Sequence, residues 1–222
     1  IKPIYQTENQ YSKGISIGKT FLFPKARGKY FASCEGDDYW CDENKLQQQV
    51  DFLENNPEYV ACVHNSFFLY PNGEKKLGFS KYDRDLELKD VAMCGGQSYQ
   101  TSSLIYRREI REQQPPQFLF SISGIGDYPL AILFALSGKI RYMAEPMSVY
   151  RVSAQGSWSV RVQKNLNKII DVQQQTIKML DMADEYSGRR YHEIFQHAEH
   201  LQKYRLLQYQ EQYREMLKPE YN

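Results

Sequence analysis

Residues 30–40 read Tyr30-Phe31-Ala32-Ser33-Cys34-Glu35-Gly36-Asp37-Asp38-Tyr39-Trp40, three carboxylates within four positions directly after a short apolar run. Carboxylates this crowded raise one another's pKa and cost stability unless a cation or a group of donors neutralises them. A metal ion is the expected neutraliser. The apolar run after Gly28 reads as a short buried strand, Lys29 to Cys34, and Gly36 lets the chain turn without a Cβ clash. Ligands of open α/β sheets collect beyond the carboxyl ends of strands, so this turn predicts both an α/β fold and the place of its site.

Downstream, Asp42 is placed to cap a helix whose apolar stripe is Leu46, Val50 and Leu53, stopped by Asn55-Asn56-Pro57. Strands are predicted over Tyr59 to His64, Ser66 to Tyr70 and Lys75 to Phe79, the last two joined by the hairpin signal Pro71-Asn72-Gly73. A short helix near Leu86 to Met93 ends at Gly95-Gly96, and Thr101 to Tyr106 reads as a strand. After the Pro115-Pro116 loop, Asp127 and Pro129 open a buried helix over Leu130 to Leu136 that Gly138 closes. Strands Ile140 to Met143 and Met147 to Arg151 follow, separated by Glu145-Pro146. Composition changes near Gly156, which predicts a first domain over 1–158 and a helical hairpin over 159–222. Its helices are Val160 to Met182 and Tyr191 to Leu217, hinged at Ser187-Gly188.

With 28 Lys and Arg against 27 Asp and Glu, no global field favours nucleic acid, and any phosphate contact must be local. The 41% hydrophobic content suffices for a core. Cys34, Cys41, Cys62 and Cys94 form no CxxC pair, which argues against a zinc knuckle and fits a reducing cytoplasm. The longest apolar stretch, Leu130 to Leu136, is far short of the ~20 residues that span a bilayer, so membrane contact is expected to be peripheral. The start at Ile1 on an extended segment, Ile1 to Gln6, predicts a fragment of a longer protein. Two motif-like stretches are decoys. Gly14 to Thr20, GISIGKT, has one residue too few between its glycines for a P-loop and lacks the preceding strand. His192 and His197 are five apart, about 140° around a helix, where a zincin needs four.

The segment GKYFASCEGDDYWCDENKLQQQVDFLENNPEY, followed in order by GDYPLAILFALSGKI and EPMSVYR, resembles the family 2 glycosyltransferases of the inverting GT-A type, bacterial members that decorate surface polysaccharides above all. The likeness covers residues 1 to about 158. It implies a GT-A-like, Rossmann-related mixed sheet flanked by helices, with the carboxy-terminal helical hairpin as an addition.

By that resemblance the acidic turn is a DXD-like metal motif: Asp37 and Asp38 ligate Mg²⁺ or Mn²⁺ on the donor's diphosphate, while Glu35 and Asp38 bind around the ribose. Asp127 matches the family's catalytic base. Arg151, and behind it Arg27 and Lys29, would meet phosphate oxygens. The implied partners are a UDP- or GDP-sugar donor and a glycan or lipid-linked glycan acceptor, used at the cytoplasmic side of the membrane. Two departures stand out. The family opens with a strand, helix and strand for the nucleotide base, a unit of roughly 30 residues or more, whereas this chain starts at what resembles the third strand. Many members also carry histidine two residues after the Tyr-Arg pair, where this chain has Ser153.

Each site residue also has a structural reading. The acidic turn alone suits a solvated surface, Asp127 suits a helix N-cap worth about 1 kcal/mol, and Arg151 suits a salt bridge at a strand end. Tyr39 and Trp40 read as cleft wall or core. Two other functions follow from these readings: a catalytically silent sugar-nucleotide or glycan-binding domain, or an interaction module that self-associates through the tyrosine-rich hairpin.

Overall fold

The computed structural model describes residues 2–95, 97–112, 115–154, 160, 162, 165–216 and 218. Its strands are β1 (Tyr30–Ala32), β2 (Tyr39–Trp40), β3 (Tyr59–Leu69), β4 (Lys75–Leu77), β5 (Arg84–Leu86), β6 (Ile105–Arg107) and β7 (Lys139–Arg151). Its α-helices are α1 (Lys45–Asn55), α2 (Leu88–Cys94), α3 (Glu109–Glu112), α4 (Asp127–Ser137), α5 (Leu166–Tyr186), α6 (His192–Tyr209) and α7 (Tyr213–Met216). The strands form one mixed sheet in the order β1-β6-β3-β7-β2, with β4 added to β3 and β5 to β7. Within it β3 and β7 run parallel, and the other described pairs are antiparallel. The chain is thus α/β, as expected.

Helices cover both faces because alternate residues of the central strands are apolar on both sides. Cys62 and Ile105 face α1 and pack with Leu53 and Tyr59. Their neighbours Val63 and Tyr106 face the larger core with Val91, Ile132, Phe134 and Ile140. Met179, Leu180, Ala183, Phe195 and Ala198 of the α5–α6 hairpin are fully buried in that same core. The hairpin turns at Ser187 and at Gly188, whose φ of 64° is a conformation glycine adopts without a Cβ clash. The domain edge expected between 158 and 159 lies outside the described residues. Among the described residues no helix is long and apolar enough to cross a membrane.

The central strands are longer than the periodicity suggests. Tyr59 to His64 and Ser66 to Tyr70, read as two strands, are one strand, β3, which ends at Leu69, and Ile140 to Met143 and Met147 to Arg151 are likewise one, β7. The two interruptions sit opposite each other: Asn65 pairs with Pro146, and the register shifts on both sides of Asn65. Proline cannot donate to a ladder, but a bulge absorbs it, and Asn65 Oδ1 accepts the Ser66 and Phe79 N–H groups at 2.9 Å each. The Pro71-Asn72-Gly73 hairpin forms as read, with Gly73 at φ 84° between β3 and β4. Residues 2–6 join no strand.

The helix α1 differs from its reading in a way that affects the site. Its buried residues are Lys45, Gln49 and Leu53, while Leu46 is 42% exposed. The i, i+4, i+8 positions face the sheet whatever they carry, and here polar groups on the sheet receive them. Lys45 Nζ donates to Gln49 Oε1 at 2.8 Å and lies 4.4 Å from the Trp40 ring centroid. Gln49 Nε2 donates to the carbonyls of Cys62 and Ser103, each at 2.9 Å. Burial pushes the Lys45 ammonium down to about 8.

Candidate active site

The acidic turn is the connection from β1 to β2, and β2 explains its position. Two residues suffice: Tyr39 pairs with Val149 and Trp40 with Ser148, so the turn is laid against the last residues of β7. Arg151, at the end of β7, donates its backbone N–H to Asp38 Oδ1 at 3.0 Å and a guanidinium N–H to the Asp37 carbonyl. Its guanidinium also sits 4.9 Å from the Tyr39 ring centroid, within cation–π range. Arg151 is therefore a clamp on the turn rather than an ordinary strand-end ion pair.

Asp38 is 8% exposed, and its second oxygen, Oδ2, is buried with no hydrogen-bond partner. Burial raises its pKa against the opposing Arg151 N–H, and the Asp37 charge raises it further. A buried carboxylate oxygen left unpaired is costly, and the Ser102 hydroxyl, which lowers the Asp38 pKa, offsets part of that cost. Below it lies a line of hydroxyls. Ser102 Oγ is 3.2 Å from Ser148 Oγ, which is 2.9 Å from Ser66 Oγ, and all three residues are fully buried. Trp40 Nε1 donates to the Ser102 carbonyl at 2.8 Å and ties β2 to this line.

Glu35 is pushed up to about 7, first by burial and then by the charges of Asp38, Asp127 and Asp37. The Asp127 contribution means that the start of α4 faces the acidic turn, although 92 positions of sequence separate Glu35 from Asp127. Both residues are exposed to solvent. Asp127 is the first residue of α4, and Gly126 holds the N-cap position. One Asp127 oxygen accepts the Tyr128 N–H at 2.8 Å; burial raises its pKa and that hydrogen bond opposes the rise. A carboxylate is also favoured there by the helix dipole.

Glu35, Asp37, Asp38, Arg151 and Asp127 thus share one rim of the sheet. Lys29 does not join them. It pairs with Glu54 of α1 instead, and Arg27 is an exposed residue of the preceding loop. His192, from the zincin-like stretch, hydrogen-bonds Asp184 through Nδ1 at 2.7 Å. Ser102, Ser148 and Lys45, which underlie the turn, carry no motif. Their only signal is that polar residues interrupt apolar strand and helix faces.

The chain matches no protein-family model. It is 37% identical over 149 residues to an uncharacterized protein of Mycobacterium bovis and to uncharacterized proteins from two strains of Mycobacterium tuberculosis, over 67% of this chain and 42% of each relative. The chain therefore spans less than half the length of the curated relatives it matches.

Proposed function

We propose that this chain is the catalytic core of a metal-dependent, inverting glycosyltransferase of the GT-A type. It moves a sugar from a nucleoside-diphosphate donor, UDP- or GDP-linked, to a hydroxyl of a glycan or lipid-linked glycan in surface polysaccharide assembly at the cytoplasmic side of the membrane. One observation carries the reading: β2 lays the acidic turn, matched to the family's metal motif, against the end of β7, where Arg151 holds Asp38 and Asp37, and the charge of Asp127, matched to the family's base, acts on Glu35 of that turn.

The carboxylates suit a hard divalent cation, because Asp38 Oδ2 is a buried oxygen without a partner. Among the described residues no group of three His, Cys, Asp or Glu side chains is placed to hold a metal ion. Mg²⁺ or Mn²⁺ would therefore have to take most of its ligands from the donor's phosphate oxygens and from water, with one or two carboxylates from the protein. Asp37 and Asp38 would hold it. When bound, the ion supplies Lewis-acid neutralisation of the leaving nucleoside diphosphate.

The remaining roles belong to the chain's own side chains. Asp127 takes the proton of the acceptor hydroxyl as that oxygen attacks the anomeric carbon from the face opposite the diphosphate, giving inversion. Its raised pKa strengthens it as a base once ionised. Arg151 fixes Asp38 through its backbone N–H and supplies positive charge for a phosphate oxygen. Glu35, near half protonation at neutral pH, donates a hydrogen bond to a ribose oxygen or ionises beside a cation.

The test is calorimetric titration with UDP and GDP, with and without Mn²⁺, on the wild type and on Asp38→Asn. The expected result is Mn²⁺-dependent nucleotide binding that Asp38→Asn removes. Absence of metal-dependent binding of either nucleotide to the wild type would sink the proposal.

A further inference from the structure

A cavity of about 930 Å³ has Gly126, the sequence neighbour of Asp127, in its wall. It lies between the segment from Ser12 to Ala26 and the loop from Pro115 to Gly126, and its size suits an organic ligand. Three cations line it: Lys19, Arg108 and Arg111. None of its described lining residues is acidic. The wall between the cations is apolar and includes Phe23, Phe31 and Phe120.

The cations are arranged on those rings. The Arg111 guanidinium lies 4.3 Å from the Phe23 centroid, and Lys19 Nζ lies 5.2 Å from the Phe120 centroid. Phe120 is 61% exposed for a large apolar side chain at the rim. Positive charge with no described acidic neighbour in the lining, set among aromatic walls, matches one chemistry: a phosphate attached to an apolar body.

We infer that this cavity binds the phosphate and adjoining apolar part of the acceptor substrate, with Lys19, Arg108 and Arg111 on the phosphate and the phenylalanines on the apolar part. The acceptor role rests on the glycosyltransferase reading, because Gly126 carries the cavity wall directly to Asp127. The binding chemistry stands independently of it.

The test uses octyl phosphate with its two halves, 1-octanol and inorganic phosphate, titrated into the full chain. Octyl phosphate is expected to bind at least tenfold more tightly than either half, and Arg111→Gln and Lys19→Gln each to weaken it at least tenfold. Lys19 is exposed, so its variant folds even if the Arg111 variant, stripped of its contact with Phe23, does not. Saturating UDP or GDP with Mn²⁺ should leave the octyl phosphate affinity unchanged. Equal binding of 1-octanol or of inorganic phosphate would overturn the inference, as would wild-type affinity in the Lys19→Gln variant. Competition by the nucleotide would also overturn it, by assigning the cavity to the donor. Loss of nucleotide binding together with intact, Lys19-dependent octyl phosphate binding would refute the proposed function alone.

Discussion

The acidic turn and the cavity beside Gly126 handle charge in opposite ways. In the turn, Glu35, Asp37 and Asp38 crowd together, and Arg151 binds one oxygen of Asp38 and the main chain of Asp37 while Asp38 Oδ2 stays unpaired. In the cavity, Lys19 and Arg111 lie on phenylalanine rings beside Arg108, and none of the described lining residues is acidic. Proteins pair such groups internally when charge serves only stability. Two surfaces of opposite sign are instead complementary to ligands of opposite sign, a cation on one and an anion on the other.

The comparison breaks most visibly at Asp127, the sequence neighbour of Gly126. Asp127→Asn is expected to lower kcat by about 10²- to 10⁴-fold while nucleotide binding with Mn²⁺ stays near wild type, read from product release and from calorimetry on the same preparation. Parallel loss of turnover and donor binding would assign Asp127 to the donor side.

The turn itself comes next. In the wild type, UDP or GDP with Mn²⁺ at a hundredfold excess over Kd should stabilise the fold by about 2.7 kcal/mol, visible as a rise in Tm. Asp38→Asn should abolish that rise, and a rise of the same size in the variant would remove Asp38 from the cation site.

Glu35 sharpens the contrast through pH. Its folded pKa of about 7 lies above the ordinary 4.5, so the native state holds this proton more firmly than the unfolded state. Stability is therefore lost as pH rises from about 4.5 to about 7, and the loss is complete above that window. Glu35→Gln should remove this dependence and be more stable than wild type at pH 8 by about 1 kcal/mol, the full shift being reduced by solvent screening. Chemical denaturation at pH 4 and pH 8 measures it, and equal stability of the two proteins at pH 8 would show that neither burial nor the neighbouring carboxylates raise the Glu35 pKa. The smallest effect belongs to Lys29, whose cation is spent on Glu54 outside both surfaces. Lys29→Ala should leave Tm close to wild type, because exposed ion pairs contribute little, and leave nucleotide and octyl phosphate binding unchanged.

Much of the sheet and the rim was legible because punctuation and motif coincide there. Gly28, the acidic turn and the Asp127-to-Gly138 helix were each bounded by residues with strong local preferences. What escaped has physical reasons. β2 is two residues long and has no periodicity to read, yet it places Arg151 against Asp38. The polar face of α1 was missed because Leu46 looks like a core residue and Lys45 does not, although the helix turns Lys45 inward. The cavity escaped because two stretches far apart in sequence, within 12–31 and 108–126, build it, and the first carries Lys19 in a segment that reads only as a P-loop of the wrong spacing.

Between the helix α4 and the strand β7 stands Gly138, with no room for a side chain: a Cβ there would lie 2.6 Å from Val60 Cγ1 and 3.1 Å from the Glu58 carbonyl. Pinned against β3 at that corner, the helix and strand form one stiff bracket whose first residue is Asp127 and whose last is Arg151. A bulkier residue at 138 would have to push the start of β7 away from β3, where Lys139 lies opposite Tyr59.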